Sequence, residues 1–336
     1  MLVRLIVRRL FFLVFVLLGL SLATFSLSRV IPGDPARLAL GPRAGSAAVA
    51  KYRTRLGLDE PLPVQYLTYV RNLGRLDFGE STTSRKPVRQ DLQRFLPASL
   101  ELAFYAFILS TIFGIPLGVL SAVKRDQWPD HLARFVSISG LALPVFWMAI
   151  MAQFLFFGKL GWLPDGQRLP IRTEPPPTIT SFYTIDALLA GNLPLALTAF
   201  THLLLPVSVL AYGSLAVITR MVRGGMMEVL NQDYIRTARA KGLVARRVIL
   251  GHALKNSLLP TVTSLGLQVG LLFSGAFLVE IVFSWPGIGR YAVEGITRLD
   301  YNATMGTTIV IAVIFVLMNL VVDILYLFLD PRISYA

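Results

Sequence analysis

The sequence has no cysteine, few histidines and few charged residues for its length of 336. The absence of cysteine excludes disulfides, thiolate metal sites and a cysteine nucleophile. The three histidines, His131, His202 and His252, lie at least 50 positions apart without companions at metal-ligand spacing, so no metal site is expected. The chain also lacks the Gly-x-x-x-x-Gly-Lys-Ser/Thr loop that cradles phosphates, and no residue set predicts catalysis.

Charged residues make up 15% of the chain and hydrophobic residues 54%, whereas soluble domains carry roughly a quarter charged residues. The surplus apolar surface requires lipid as a partner. A net charge of +13 could indicate nucleic acid, but basic loops at a membrane surface produce the same balance. The position of the charges favours the membrane, and no nucleic acid partner is expected.

Long uncharged runs predict an all-α integral membrane protein with about six transmembrane helices. The expected spans are residues 10–30, 97–122, 135–158, 198–220, 258–281 and 305–328. The first run has 19 uncharged residues, more than the roughly 7 to 15 of a cleavable signal peptide. Residues 1–31 are therefore expected to be a retained N-terminal anchor.

The distribution of basic residues predicts the orientation. With the N-terminus inside, the inner segments carry 15 Lys and Arg and the short outer loops carry five. The outer segment 29–95 is also basic, but its 67 residues exceed the length of about 60 beyond which loops translocate regardless of charge. Both termini are therefore predicted to be cytoplasmic.

The remaining outer segments are predicted from their turn and helix signals. Residues 32–95 are expected to form a small extracytoplasmic subdomain that opens with a turn at 32–35 and contains an amphipathic helix at 63–73. Val64, Leu67, Val70 and Leu73 repeat along one side of that helix, which would make it a cap on the bundle or a docking surface for an external partner. The proline-rich loop 159–197 favours extended or turn structure.

Prolines also fall inside the predicted spans. Pro116, Pro144 and Pro206 make kinks plausible there, because neighbouring helices can satisfy the freed carbonyls.

The inner loop 221–257 carries the strongest local pattern. Asp233 is a good N-cap and Gly242 a natural C′ residue, which together predict a two-turn helix. A second helix is expected to begin near Ala245 and to run into the fifth span. With small Ala238 and Ala240 permitting close approach, the short helix suits a groove on another protein, while contact of a basic loop with lipid headgroups is the alternative.

Together with fragments along nearly the whole chain, this loop resembles the permeases of bacterial ABC importers of the dipeptide/oligopeptide (peptide/nickel) class, of the first-permease type. The fragments that carry the resemblance are residues 8–10, 31–35, 56–61, 67–69, 96–102, 114–118, 161–164, 233–243, 252–260, 280–289, 319–323 and 329–332. One departure is the replacement of the Glu-Ala-Ala of the general importer signature by Arg236, Thr237 and Ala238, a variant similar to the peptide class itself.

The resemblance implies the type I ABC importer permease fold, with a transmembrane core at 96–330. It implies a second homologous permease subunit, two cytoplasmic ATPase subunits that bind ATP and Mg, and an extracytoplasmic substrate-binding protein; this chain itself would bind no cofactor. The implied substrates are di- or oligopeptides, with substrate-binding residues unknown. The residues implied to couple to the ATPases are Asp233, Tyr234, Arg236, Thr237, Ala238, Arg239, Ala240, Lys241 and Gly242.

An ion-coupled secondary carrier and a non-transporting membrane scaffold are the alternatives. A carrier requires acidic or histidine pairs in mid-membrane, where the sequence offers only His202, which is expected to be a hydrogen-bonded packing residue. Glu101, Glu280 and Asp323 lie near predicted span ends and are expected to be interfacial or packing residues, with a lining of the pathway as the alternative. Trp285 is interpreted as an interface anchor before a tight turn at 286–287, with a loop that shapes the outer gate as the alternative.

Overall fold

The computed structural model describes the backbone of residues 2–30, 35–40, 44–55 and 57–329. These ranges are helical without a strand, and one isolated antiparallel bridge joins Glu80 to Pro87. The helices are α1 (Leu2–Val30), α2 (Pro35–Leu40), α3 (Ser46–Arg55), α4 (Leu62–Leu73), α5 (Val88–Val123), α6 (Trp128–Ala142), α7 (Val145–Ala152), α8 (Tyr183–Leu189), α9 (Leu193–Leu230), α10 (Asp233–Ala240), α11 (Ala245–Arg247), α12 (Lys255–Val282), α13 (Ile288–Thr297) and α14 (Tyr301–Leu329). The predicted all-α class is confirmed.

Several helices are long and apolar enough to cross a bilayer. Within the described ranges they are 6–26 of α1, all of α5, all of α9 and 301–321 of α14. The predicted fifth span, 258–281, lies inside the 28 residues of α12. Helices α5 and α9 have 36 and 38 residues and extend beyond the predicted spans. The number six remains a prediction.

The third predicted span, 135–158, is not one straight helix. Helix α6 ends at Ala142, and the helical run of α7 and the π-helix Gln153–Lys159 is bent from it by 108°. Proline disfavours the α conformation in the residue before it, and Leu143 ahead of Pro144 is accordingly extended, with φ −85° and ψ 129°. The prediction that Pro144 disturbs this span is correct, but the proline breaks the span into two helical segments where only a kink was expected.

The chain divides into two compact units, residues 1–99 with 286–317 and residues 100–285 with 318–336. In the first unit, α4 packs on α1 through aromatic rings: Phe25 contacts Tyr66 edge-on at 5.4 Å and stacks on Tyr69 at 6.0 Å. Of the predicted apolar stripe of α4, Val64 and Leu67 are exposed and Val70 and Leu73 are half-buried, while the aromatic side packs, so its role as a cap or as a docking surface remains a prediction. The subdomain boundaries 32–95 remain a prediction; residues 32–34 of its predicted turn and the side chain of Asp323 lie outside the described residues.

Helix α9 organises the second unit, where it packs against α6, α8 and α12. Small residues permit the close approach of helices, as is common in membrane proteins. A Cβ added to Gly118 of α5 would lie 2.8 Å from Cβ of Val222, and one added to Gly140 of α6 would lie 2.6 Å from Cβ of Ala216. These glycines are therefore packing positions.

The loop 159–197 is more ordered than its prolines predict. It contains α8 and the first turn of α9, and Gln167 N–H donates to the Phe283 carbonyl at 2.8 Å. His202 is a packing residue as predicted, since its Nδ1 lies 2.6 Å from the Gly166 carbonyl oxygen. Trp285 is 1% exposed, so its interpretation as an interface anchor is wrong.

The two described acidic residues near predicted span ends are buried, not interfacial. Glu101 is 1% exposed and accepts from Arg168 at 2.6 Å and from the Thr184 hydroxyl at 2.9 Å. Glu280 is 0% exposed. The packing alternative is therefore the one that the structure supports for both residues.

Candidate functional site

Helix α10 is the predicted two-turn helix of the inner loop. It begins at Asp233 after Gln232, which is extended with φ −73° and ψ 149° and occupies the N-cap position without a side-chain hydrogen bond. Asp233 as N-cap is therefore wrong by one residue. Its carboxylate lies in the first turn, where the positive end of the helix dipole stabilises it. The same carboxylate lies 3.5 Å from the guanidinium of Arg236.

The C-terminus of α10 ends as the sequence predicted. Gly242 has φ +77°, the left-handed conformation of a C′ residue. Its N–H donates to the Arg239 carbonyl at 2.9 Å, and the Leu243 N–H donates to the Ala238 carbonyl at 3.4 Å. This pair of hydrogen bonds is the Schellman motif, which gives the helix a sharp end.

Two side chains hold α10 on the protein. Ile235 is 0% exposed and Ala238 is 8% exposed, and they lie three residues apart on one side. Both belong to an apolar cluster that also contains Val119, Ala122, Ile218, Val222, Met226, Val248 and Ala253. The cluster joins α10 to the ends of α5 and α9 and to the π-helix Val248–Leu254. A force that moves α10 is therefore transmitted to these elements through direct side-chain contacts.

The other residues of α10 face outward. Asp233, Tyr234, Arg236, Thr237, Arg239, Ala240 and the following Lys241 are all exposed. With three basic residues against one acidic residue, this surface is positively charged and suits an acidic partner surface. The structure thus brings all nine predicted site residues onto one short element, seven outward, Ala238 inward and Gly242 at the end.

A side-chain hydrogen bond connects α10 to the second predicted helix. The Asn256 amide donates to the Tyr234 hydroxyl at 2.9 Å. The helix expected from Ala245 into the fifth span is present as α11, the π-helix Val248–Leu254 and α12 in sequence. The short helix is therefore tied to a long helix by its apolar side and by one polar contact.

Sequence reasoning missed a buried ionic cluster in the same unit. Asp130 of α6 is 0% exposed and accepts from Arg223 at 2.7 Å, from the Ser121 hydroxyl at 2.6 Å and from Arg134. Ser121 belongs to α5 and Arg223 to α9, one residue beyond the Val222 of the apolar cluster. The only signal in the sequence is a pair of acidic residues, Asp126 and Asp130, in a basic inner segment, and nothing in it distinguishes the buried one.

Two family profiles match the chain. Residues 114–335 match the binding-protein-dependent transport system inner membrane component, and residues 1–103 match the N-terminal part of the same type of membrane component. Together they cover the chain except for residues 104–113 and 336.

Curated relatives match over almost their full length. The chain is 48% identical to the probable D,D-dipeptide transport system permease protein DdpB of Escherichia coli K12, with 96% of this chain and 95% of the relative covered. It is 44% identical to the dipeptide transport system permease protein DppB of Alkalihalophilus pseudofirmus and 36% identical to the glutathione transport system permease protein GsiC of Salmonella paratyphi A, each with 98% of both chains covered. The chain therefore belongs to the binding-protein-dependent transport system inner membrane components, as a multi-pass permease of the peptide ABC importer family.

Proposed function

We propose that this protein is the transmembrane permease subunit of an ATP-driven importer of di- or oligopeptides and forms half of the translocation pathway. The observation that carries the proposal is α10, a short helix held by Ile235 and Ala238 with a basic surface left for a partner. The names of relatives that transport dipeptides support the substrate class. The chain crosses the membrane with both termini in the cytoplasm.

The partners in this proposal are those that membership of the importer family implies. The sequence of this chain has no phosphate-binding loop, and two cytoplasmic ATPase subunits bind ATP and Mg and supply the energy. A second homologous permease completes the pathway, and an extracytoplasmic substrate-binding protein delivers the peptide. Closure of the ATPases moves α10 as a rigid body, and the long helices attached to it shift between inward and outward openings.

The coupling residues in this proposal are those of α10 and its end. Tyr234, Arg236, Thr237, Arg239, Ala240 and Lys241 contact the ATPase, Asp233 orients the first turn, Ala238 seats the helix and Gly242 ends it. An ion-coupled carrier is disfavoured, because His202 is engaged with the Gly166 carbonyl and Glu101 with Arg168.

Reconstitution of the complete transporter in proteoliposomes tests the proposal. Arg239→Glu reverses an exposed charge on α10 and is expected to reduce ATP-driven uptake at least tenfold, while Ala238→Leu is expected to abolish uptake by displacing the helix. Arg172→Glu and Ala142→Leu make the same changes at exposed positions elsewhere and should leave uptake unchanged. Uptake that persists in both α10 variants, or that proceeds without nucleotide, would contradict the proposal.

A further inference from the structure

A single hydrogen bond joins the outward side of α10 to the first turn of α12. The side-chain amide of Asn256 donates to the hydroxyl of Tyr234 at 2.9 Å. Within the described parts of the chain, no other side chain of α10 is hydrogen-bonded to a different helix. Because the amide is the donor, the hydroxyl keeps its own hydrogen for a further partner. The contact therefore orients Tyr234 and leaves its hydroxyl able to donate to a docked protein.

This hydrogen bond spans the π-helix Val248–Leu254, which lies between α11 and α12. A π-helix is less regular than an α-helix, is rare, and is frequently found at functional sites. The apolar side of α10, formed by Ile235 and Ala238, shares its cluster with residues of this π-helix, whereas Tyr234 contacts α12 beyond it. A movement of α10 therefore reaches α12 directly through Asn256, even when the π-helix deforms.

Asn256 is adjacent to a close contact between α12 and α9. Its neighbour Ser257 is 1% exposed. A Cβ added to Gly225 of α9 would lie 2.9 Å from the Ser257 carbonyl oxygen, so the two backbones touch at this point. Closely packed elements transmit displacement because few voids separate them. Asn256 itself is exposed, so replacing it leaves the contact between the two long helices in place.

We propose that Asn256 is a positioning residue for the coupling of ATP hydrolysis to peptide transport. Its amide holds Tyr234 in the orientation in which α10 meets the ATPase, and it carries the movement of α10 to α12 and, through Ser257, to α9. The inference rests on the proposed function, because only an ATP-driven transporter has such coupling. A purely stabilising contact differs in its effect: its loss would lower uptake and hydrolysis together and leave their ratio unchanged.

Reconstitution of the complete transporter in proteoliposomes tests the inference, with dialanine uptake and ATP hydrolysis measured on the same preparation. We expect Asn256→Ala and Tyr234→Phe each to lower the number of peptides imported per ATP hydrolysed several-fold. The thermal unfolding midpoint should be unchanged, because water replaces an exposed hydrogen bond at little cost. Asn256→Asp should keep at least half of the wild-type ratio, because its carboxylate accepts a hydrogen bond from the Tyr234 hydroxyl.

Asn231→Ala is the matched control. Asn231 is also an exposed asparagine close to α10, but its amide donates at 2.9 Å to the carbonyl of Met227 in the preceding turn of α9 and not to another helix. Its replacement should leave the ratio of uptake to hydrolysis at the wild-type value.

The double variant with Asn256→Ala and Tyr234→Phe separates one shared contact from two independent effects. If the residues act through their hydrogen bond, the double variant should be no worse than the more affected single variant. Three results would overturn the inference: a wild-type ratio in Asn256→Ala, losses that multiply in the double variant, or uptake and hydrolysis that fall in proportion. Wild-type uptake that is absent or needs no ATP would instead contradict the proposed function, and the inference would fail with it.

Discussion

The replacement of Gly242 is limited by its backbone conformation alone. Its φ of +77° costs a non-glycine residue roughly 1–2 kcal/mol, and a Cβ there would meet nothing within 4 Å, so strain alone acts. We expect Gly242→Ala to weaken the end of α10 and to lower ATP-driven uptake several-fold in proteoliposomes with little change in expression. Gly224→Ala, in helix α9 with equally open space, should be neutral or slightly stabilising. Equal uptake by the two variants would contradict this expectation.

Helix α10 shows how far the type of a residue predicts its place at a helix end or on a helix side. Gly242 could be predicted because few residues tolerate the left-handed conformation. The N-cap was predicted one residue too late, at Asp233. Aspartate is favoured both at the N-cap and in the first turn, so its presence does not distinguish the two positions. The inward direction of Ile235 and Ala238 depends on partners far away in the chain, such as Val119, which no local pattern reveals.

Asp186 stabilises the loop before α8. Its carboxylate accepts from the N–H groups of Ile179, Thr180 and Ser181 and from the Thr180 hydroxyl, at 2.6 to 3.2 Å. Burial raises the pKa of Asp186, but these hydrogen bonds outweigh it and hold the pKa below its ordinary value. The stabilisation is therefore present above pH about 4 and is lost as the pH falls through the lowered pKa.

We expect Asp186→Asn to destabilise the protein by roughly 1–3 kcal/mol at neutral pH, because the amide has one acceptor oxygen where the carboxylate has two. Thermal unfolding in detergent measures the difference from the wild type, which should shrink below pH about 4. The exposed Asp165→Asn is the control. A difference that stays constant down to low pH would show that the charge of Asp186 is not responsible.

At the scale of elements, Asp130 connects three helices through Ser121 of α5, Arg134 of α6 and Arg223 of α9. Removing one partner of a buried ion pair costs about 3–5 kcal/mol, and we expect the lower end for Asp130→Ala because both arginines reach solvent. A lower thermal unfolding midpoint, together with weaker coupling of ATP hydrolysis to uptake, is the expected result. Asp126→Asn removes an exposed charge four residues away, keeps a residue type that tolerates the φ of +59° there, and should have little effect.

The elements themselves were only partly predictable. Helix α10 and the run from Ala245 into α12 follow from local caps and periodicity, and the structure contains both. The break at Pro144, the aromatic side of α4 and the pairing of Glu101 with Arg168 depend on contacts between distant segments. A single sequence gives the residue types for such contacts but not their partners.

At the scale of the whole molecule, composition sufficed for the helical membrane class, since 54% hydrophobic residues in long runs leave few other folds. The division into two units was not predictable, because α5 and α14 each run through both units as a continuous helix. The orientation depends on a property that local structure does not test, the asymmetry of basic residues between loops.

The absence of cysteine makes the orientation directly measurable, because any introduced thiol is the only one in the chain. Arg246→Cys lies in the segment after α10 and Glu174→Cys in the loop before α8, and both positions are exposed. With both termini in the cytoplasm, a membrane-impermeant maleimide should label position 174 in intact spheroplasts and position 246 only after permeabilisation. Labelling of position 246 from outside would place α10 on the wrong side of the membrane for cytoplasmic ATPases, and the coupling proposal would then fail whatever the family of the chain.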